Sequence, residues 1–266
     1  MSEEKMEWRK IWKESIIECQ KAILSNDQKG KIFKSLKEKY NDDKMVLFEE
    51  GISYECLKQY DKAVELYEQV SSKENGLPVA HWRSRANIFL QRAKNKKSKC
   101  PILGDLEEDC KPHVIWNAFY YLHSYVYIPK HIRYMSISSI ARVGSEPEMS
   151  IVIFRTCFEE ILRFVYPEEY KQNDKNNGGL KTLWGSLNDK TPLFIGEDGI
   201  KEWGSEIIKR GNAAAHGNSH GKEIDYNNAY IEKSIIYFLK FMKKANDIIR
   251  KDSILKDQIK KSLGLE

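Results

Sequence analysis

One short segment, Lys209-Arg210-Gly211-Asn212-Ala213-Ala214-Ala215-His216, gathers side chains that could do chemistry. An imidazole titrating near neutrality can take or give a proton. A guanidinium holds a phosphate or carboxylate by paired hydrogen bonds. Projected onto a helix at about 100° per residue, Trp203, Ile207, Gly211 and Ala215 share a side predicted to face the core. Ser205, Lys209, Asn212 and His216 then form a polar stripe at i, i+4, i+7 and i+11. The three alanines beside Gly211 leave room for another helix, so the stripe is expected in a cleft or a subunit interface. Arg210 lies about 120° around the helix from His216, and the two converge only if Arg210 bends back or reaches across a dimer. Plainer roles stand beside these: His216 capping the carbonyls of a helix C-terminus, and Asn212 bonding a neighbouring helix's backbone.

The elements that must position this segment are read from periodicity. From Glu3 to Lys94 apolar residues recur at three- and four-residue steps, with breaks at Asn26-Asp27, Asn41-Asp42-Asp43, Gln59 and Asn75-Gly76-Leu77-Pro78. About five helices are expected there. Within them Leu47, Gly51, Tyr54, Ala63, Tyr67 and Val70 stand at the spacings of one tetratricopeptide repeat, a unit whose usual work is to hold a partner. A single repeat cannot bury its own faces, so flanking helices must complete it. An ordinary helical bundle is the plainer alternative.

Residues 96–112 change character, with lysines followed by an acidic run and with Pro and Gly between, and read as a linker between a region 1–95 and a domain 113–266. Cys100, Cys110 and His113 fall here, but cysteines ten positions apart lack the close pairing of structural zinc, so no metal is expected. Beyond the linker come an aromatic-rich stretch, Ile115 to Tyr127, whose rings at helical spacing read as core, and an element from Pro129 to Ala141. Met149 to Val165 follows with one broad apolar face: Ile153, Phe154, Cys157, Phe158, Ile161, Leu162 and Val165. After a polar loop from Asp174 to Gly179 come helices over Leu180 to Leu187 and Gly199 to His216. A long closing helix carries Ile231, Ile235, Phe238, Leu239, Met242, Ala245 and Ile249 on one side. This half is expected to be a bundle of four or five helices, and the whole chain all-α.

Composition narrows the field without deciding it. The chain has 266 residues and a net charge of +5, enough to permit RNA or DNA contact without demanding it. Five scattered cysteines fit a reducing compartment. Met1 to Ser15 is studded with charges, and no stretch approaches the roughly 20 apolar residues that span a bilayer, so a cytoplasmic protein without membrane contact is expected.

The residues from Pro129 to about Ile249 resemble a HEPN-superfamily domain, in particular a bacterial branch whose signature is Gly-Asn-x-Ala-Ala-His. The matching residues are Gly211-Asn212-Ala213-Ala214-Ala215-His216, preceded by Arg210. Arg155 and Glu159, in Ile-Phe-Arg-Thr-Cys-Phe-Glu-Glu-Ile, stand where that branch places an Arg and a Glu, although their i, i+4 spacing also suits a pair within one helix. In catalytic members an Arg, four to six residues and a His supply a metal-independent ribonuclease site composed from two protomers, and Arg210 and His216 meet that spacing. The resemblance therefore implies an endoribonuclease or defence toxin effector. His216 would exchange protons with a ribose 2′-hydroxyl or the leaving oxygen, Arg210 would hold the phosphate, and Asn212 would complete the site. Lys209, Arg155 and Glu159 would support it, with no metal or cofactor, and the domain would dimerise. The alternative is a non-catalytic adaptor, in which the same face binds a nucleotide, RNA or protein.

Overall fold

The computed structural model describes residues 3–72, 79–94, 114–187, 199–216 and 228–265, with side chains described for 7–72, 85–94, 114–115, 117–187, 199–215 and 230–265. Thirteen helices and no strand occur among them, so the chain is all-α. No helix among them is long and apolar enough to cross a membrane. By internal contacts the chain divides into two units, 1–100 with 260–266, and 101–259. One division, between 100 and 101, falls within the expected linker 96–112, all of which lies outside the described residues, as do Cys100, Cys110 and His113; the other, between 259 and 260, cuts the expected domain 113–266.

The first unit holds α1 (Glu3–Leu24), α2 (Lys31–Tyr40), α3 (Lys44–Cys56), α4 (Tyr60–Ser72) and α5 (Val79–Lys94). The breaks fall where turn residues interrupt the apolar period: Asn26, Asn41 and Asp42 all adopt positive φ, and Asp43 caps α3 by accepting from the Met45 amide at 2.8 Å. Helices α3 and α4 pack as a hairpin, and Leu47, Gly51, Tyr54, Ala63, Tyr67 and Val70 are all buried. The close approach runs through Gly51, where an added Cβ would sit 2.6 Å from the Tyr67 ring. Phe48, Tyr67 and Phe89 complete an aromatic cluster that ties α3, α4 and α5 together, with centroids 5.2–5.8 Å apart.

Three glutamates on α3 are buried in this unit, which is tolerable only because each has donors. The Trp12 indole donates to Glu49 at 3.0 Å, and the Lys37 ammonium lies 3.0 Å from Glu50. Arg92 forks onto Glu55 at 2.7 and 2.9 Å, and the Tyr67 hydroxyl donates to the same carboxylate at 2.9 Å. Burial pushes the Glu50 carboxyl above its ordinary value of 4.5, Asp42 and Asp27 push the same way, and Lys37 opposes them. The folded chain therefore binds this proton more tightly than the unfolded chain. The resulting stabilisation is complete below 4.5 and is lost as pH rises through the raised value. Glu50→Gln is expected to flatten the fall of unfolding free energy with pH in that window, measured by urea titration at a series of pH values. A slope in the variant equal to that of the unsubstituted protein would show that another group titrates there.

The second unit holds α6 (Val114–Ser124), α7 (Lys130–Arg142), α8 (Pro147–Val165), α9 (Pro167–Lys175), α10 (Leu180–Leu187), α11 (Ile200–His216), α12 (Asn228–Lys251) and most of α13 (Ser253–Ser262). That is more than the four or five helices expected: α9 buries no residue and α13 only Ile259, so neither shows the broad apolar face that marks α8 and α12. Of the rings in α6 and the turn after it, Phe119, Tyr120 and Tyr125 are buried and Tyr121 and Tyr127 half-buried. Arg133 of α7 is itself only 1% exposed and donates to the His123 carbonyl at 2.7 Å, setting a cation at the C-terminal end of α6. On α8 five of the seven expected face residues, Phe154, Cys157, Phe158, Ile161 and Leu162, are buried together with Ile151, while Ile153 at the margin of the face and Val165 at the helix end are half-buried. All seven expected core residues of α12 are buried. Phe158 joins four helices, its ring 4.6 Å from Trp184 of α10, 5.8 Å from Trp203 of α11 and 4.8 Å from Phe241 of α12.

Candidate functional site on α11

Helix α11 rests on α8, and its inner side is set by Ile200, Trp203, Ile207, Ile208 and Gly211, all buried. Ser205, Lys209 and Asn212 are exposed, so three members of the polar stripe stand away from the core. The expected inner face stops one turn early, because Ala215 is exposed. His216 is the last residue of α11, but its side chain lies outside the described residues.

Gly211 marks a close contact between α11 and α8. A Cβ there would lie 2.7 Å from Cβ and 2.8 Å from Cδ of Arg155, so the stem of that arginine crosses the motif helix where it has no side chain. The Arg155 Nη1 stands 3.3 Å from Glu159 Oε2, the intrahelical pair that their spacing allows. Glu159 also accepts from the Tyr170 hydroxyl at 3.3 Å, and that oxygen in turn accepts from Arg163 Nη2 at 2.6 Å. Arg163 reaches Glu160 at 2.9 Å as well. Its hydrogen bond to Tyr170, aided by Glu160 and Glu159, holds the guanidinium charged above its ordinary pKa against partial desolvation. Spacing could have found Arg163, one turn beyond Glu159, whereas Tyr170 comes from α9, which the periodicity did not reveal.

Arg210 points elsewhere. Its guanidinium carbon lies 3.8 Å from the centroid of the Tyr230 ring on α12, and its Nε stands 3.3 Å from Glu206 Oε2 one turn earlier. Around the helix axis it is about 160° from Asn212. The candidate residues therefore fall into three places: Arg155 with Glu159 where α8 meets α11, Arg210 against α12, and Lys209 with Asn212 on the outer side.

Gly211→Ala is expected to cost about 1–3 kcal/mol, because the obstructing atoms begin at the Cβ of Arg155, which cannot swing away. Asn212→Ala, on the exposed side, is expected to stay within about 0.5 kcal/mol of the unsubstituted protein. Thermal denaturation of the two variants checks this contrast, and equal losses would contradict the packing described.

No protein-family model, curated protein or solved structure matches the chain.

Proposed function

We propose that the chain is a HEPN-type, metal-independent endoribonuclease, of the kind that serves as a defence or toxin effector. RNA would be cut by attack of its own 2′-hydroxyl at a site made by α11. The observation that carries this reading is the exposure of Lys209 and Asn212 on the outer side of α11 while Gly211 is pressed onto Arg155. The motif helix thus offers a polar face one turn before His216. There the imidazole would exchange the proton of the 2′-hydroxyl or of the leaving oxygen, and Lys209 and Asn212 would supply donors to the phosphate. Arg210, turned toward Tyr230, reaches this face by a rotamer change or from the second protomer of a dimer. Arg155 and Glu159 support the helix from beneath. The tetratricopeptide-like hairpin of α3 and α4 would bind a protein partner, and the location is cytoplasmic.

A second reading, a non-catalytic adaptor using the same face to hold RNA, a nucleotide or a protein, is favoured by one observation: Arg210 is already engaged by Tyr230 and Glu206. Incubation of the purified protein with mixed RNA in excess chelator separates the two. The enzyme yields fragments ending in 2′,3′-cyclic phosphate. RNA retained intact on the protein supports the adaptor.

A further inference from the structure

The outward side of α12 carries a pattern that the α11 site does not use. On the helix wheel Tyr230, Lys233, Tyr237, Lys240, Lys244 and Lys251 fall within an arc of roughly 80°, opposite the buried row that runs from Ile231 to Ile249. All six are half-buried or exposed. No carboxylate of α12 lies inside that arc. Glu232 stands to one side, and Asp247 at the margin is held by Lys243 at 3.2 Å and Arg250 at 3.6 Å. The Lys233 and Lys240 ammoniums flank the Tyr237 ring at 5.9 and 5.3 Å from its centroid. At the other end Arg210 lies over Tyr230, with Glu206 neutralising part of its charge. The strip therefore begins beside the motif helix and runs along α12 for roughly 30 Å at about 1.5 Å per residue.

A segregated row of cations interrupted by aromatic rings suits one kind of polymer better than others. Phosphates spaced along a flexible backbone meet the lysines, and bases have faces to lay on rings, so affinity comes without sequence reading. An acidic peptide would use the cations and leave the rings idle. The length matches about five nucleotides of extended strand, within the range of single-strand sites.

We propose that this strip is the track for the single-stranded RNA presented to the α11 site, a proposal that rests on the RNA reading above and names where the strand lies. Lys233, Lys240 and Lys244 hold phosphates along it, and Tyr230, with Arg210 over it, marks the end beside α11.

The test is binding of a labelled 2′-O-methyl single-stranded oligonucleotide, which 2′-hydroxyl attack cannot cut, to the full chain at several salt concentrations. The triple substitution Lys233→Glu, Lys240→Glu, Lys244→Glu is expected to weaken binding at least tenfold at low salt. It should also lower the slope of log Kd against log salt by about 2, at roughly 0.7 per lost phosphate contact on a single strand. The corresponding triple change to Arg should keep both, which separates charge from damage to the helix. An unsubstituted protein that binds, with a Glu variant that binds equally well with the same slope, overturns the track and leaves the RNA reading standing. An unsubstituted protein that neither binds nor cuts RNA defeats the RNA reading and the track with it. Lysine-dependent binding of poly-glutamate or duplex DNA in preference to the single strand assigns the strip to another occupant and overturns the proposal.

Discussion

His216→Ala is expected to slow RNA cleavage by about 10²- to 10⁴-fold, the usual worth of a side chain that moves the proton in the reacting step. If His216 serves as the proton-transfer group and not as a cap, the substitution should leave thermal stability almost unchanged. This pairing of a large kinetic effect with a small stability effect distinguishes catalysis from capping. A residue that merely capped the helix would give the reverse, a loss of about 1 kcal/mol and cleavage reduced only in proportion to the unfolded fraction. Initial rates on a single RNA substrate, set beside melting curves of the same preparations, decide between them.

Phe158→Ala should have the largest effect on stability. The ring is fully buried, and its removal opens a cavity touching α10, α11 and α12 together, at an expected cost of about 3–5 kcal/mol. For a unit of this size the melting temperature should fall by roughly 6–20 °C. Because Trp203 loses its edge-to-face partner, α11 should loosen and cleavage should fall even at temperatures where the chain remains folded. A variant within 1 kcal/mol of the unsubstituted protein by urea denaturation would mean that Phe158 does not join these helices.

The helical framework was largely readable from sequence because its boundaries and its burial have local causes. Asn26, Asn41 and Asp42 accept positive φ and end the periods they interrupt, and Pro129 and Pro147 stand at helix starts, where a missing amide costs nothing. The seven apolar positions of α12 face inward because their spacing leaves no other side for them. Helix α9 escaped notice for the complementary reason. It buries no residue, so no apolar stripe betrays it, and only Pro167 with Glu168 and Glu169 signals its start. Helix α13 buries Ile259 alone and leaves Ile254 70% exposed, so its stripe is short.

The site was legible in part. Exposure of Ser205, Lys209 and Asn212 follows directly from the wheel, and the Arg155–Glu159 pair from its spacing. What the wheel cannot give is the reach of long side chains between helices. Arg155 lies across Gly211, and Arg210 turns to Tyr230, a residue some twenty positions later in the chain. Both contacts depend on how α8, α11 and α12 pack, which no spacing within a single helix records. The same limit hid Tyr170, whose hydroxyl links Arg163 to Glu159 from a helix with no apolar signature.

The central claim is that RNA supplies its own nucleophile at the face of α11. Its most direct test is an RNA oligonucleotide carrying one 2′-deoxyribose on the 5′ side of a mapped cut, incubated with the protein in excess chelator. Cleavage at that bond should vanish while neighbouring cuts persist, since the deoxyribose lacks the hydroxyl that the mechanism requires as nucleophile. Undiminished cleavage at the deoxy position would contradict the account.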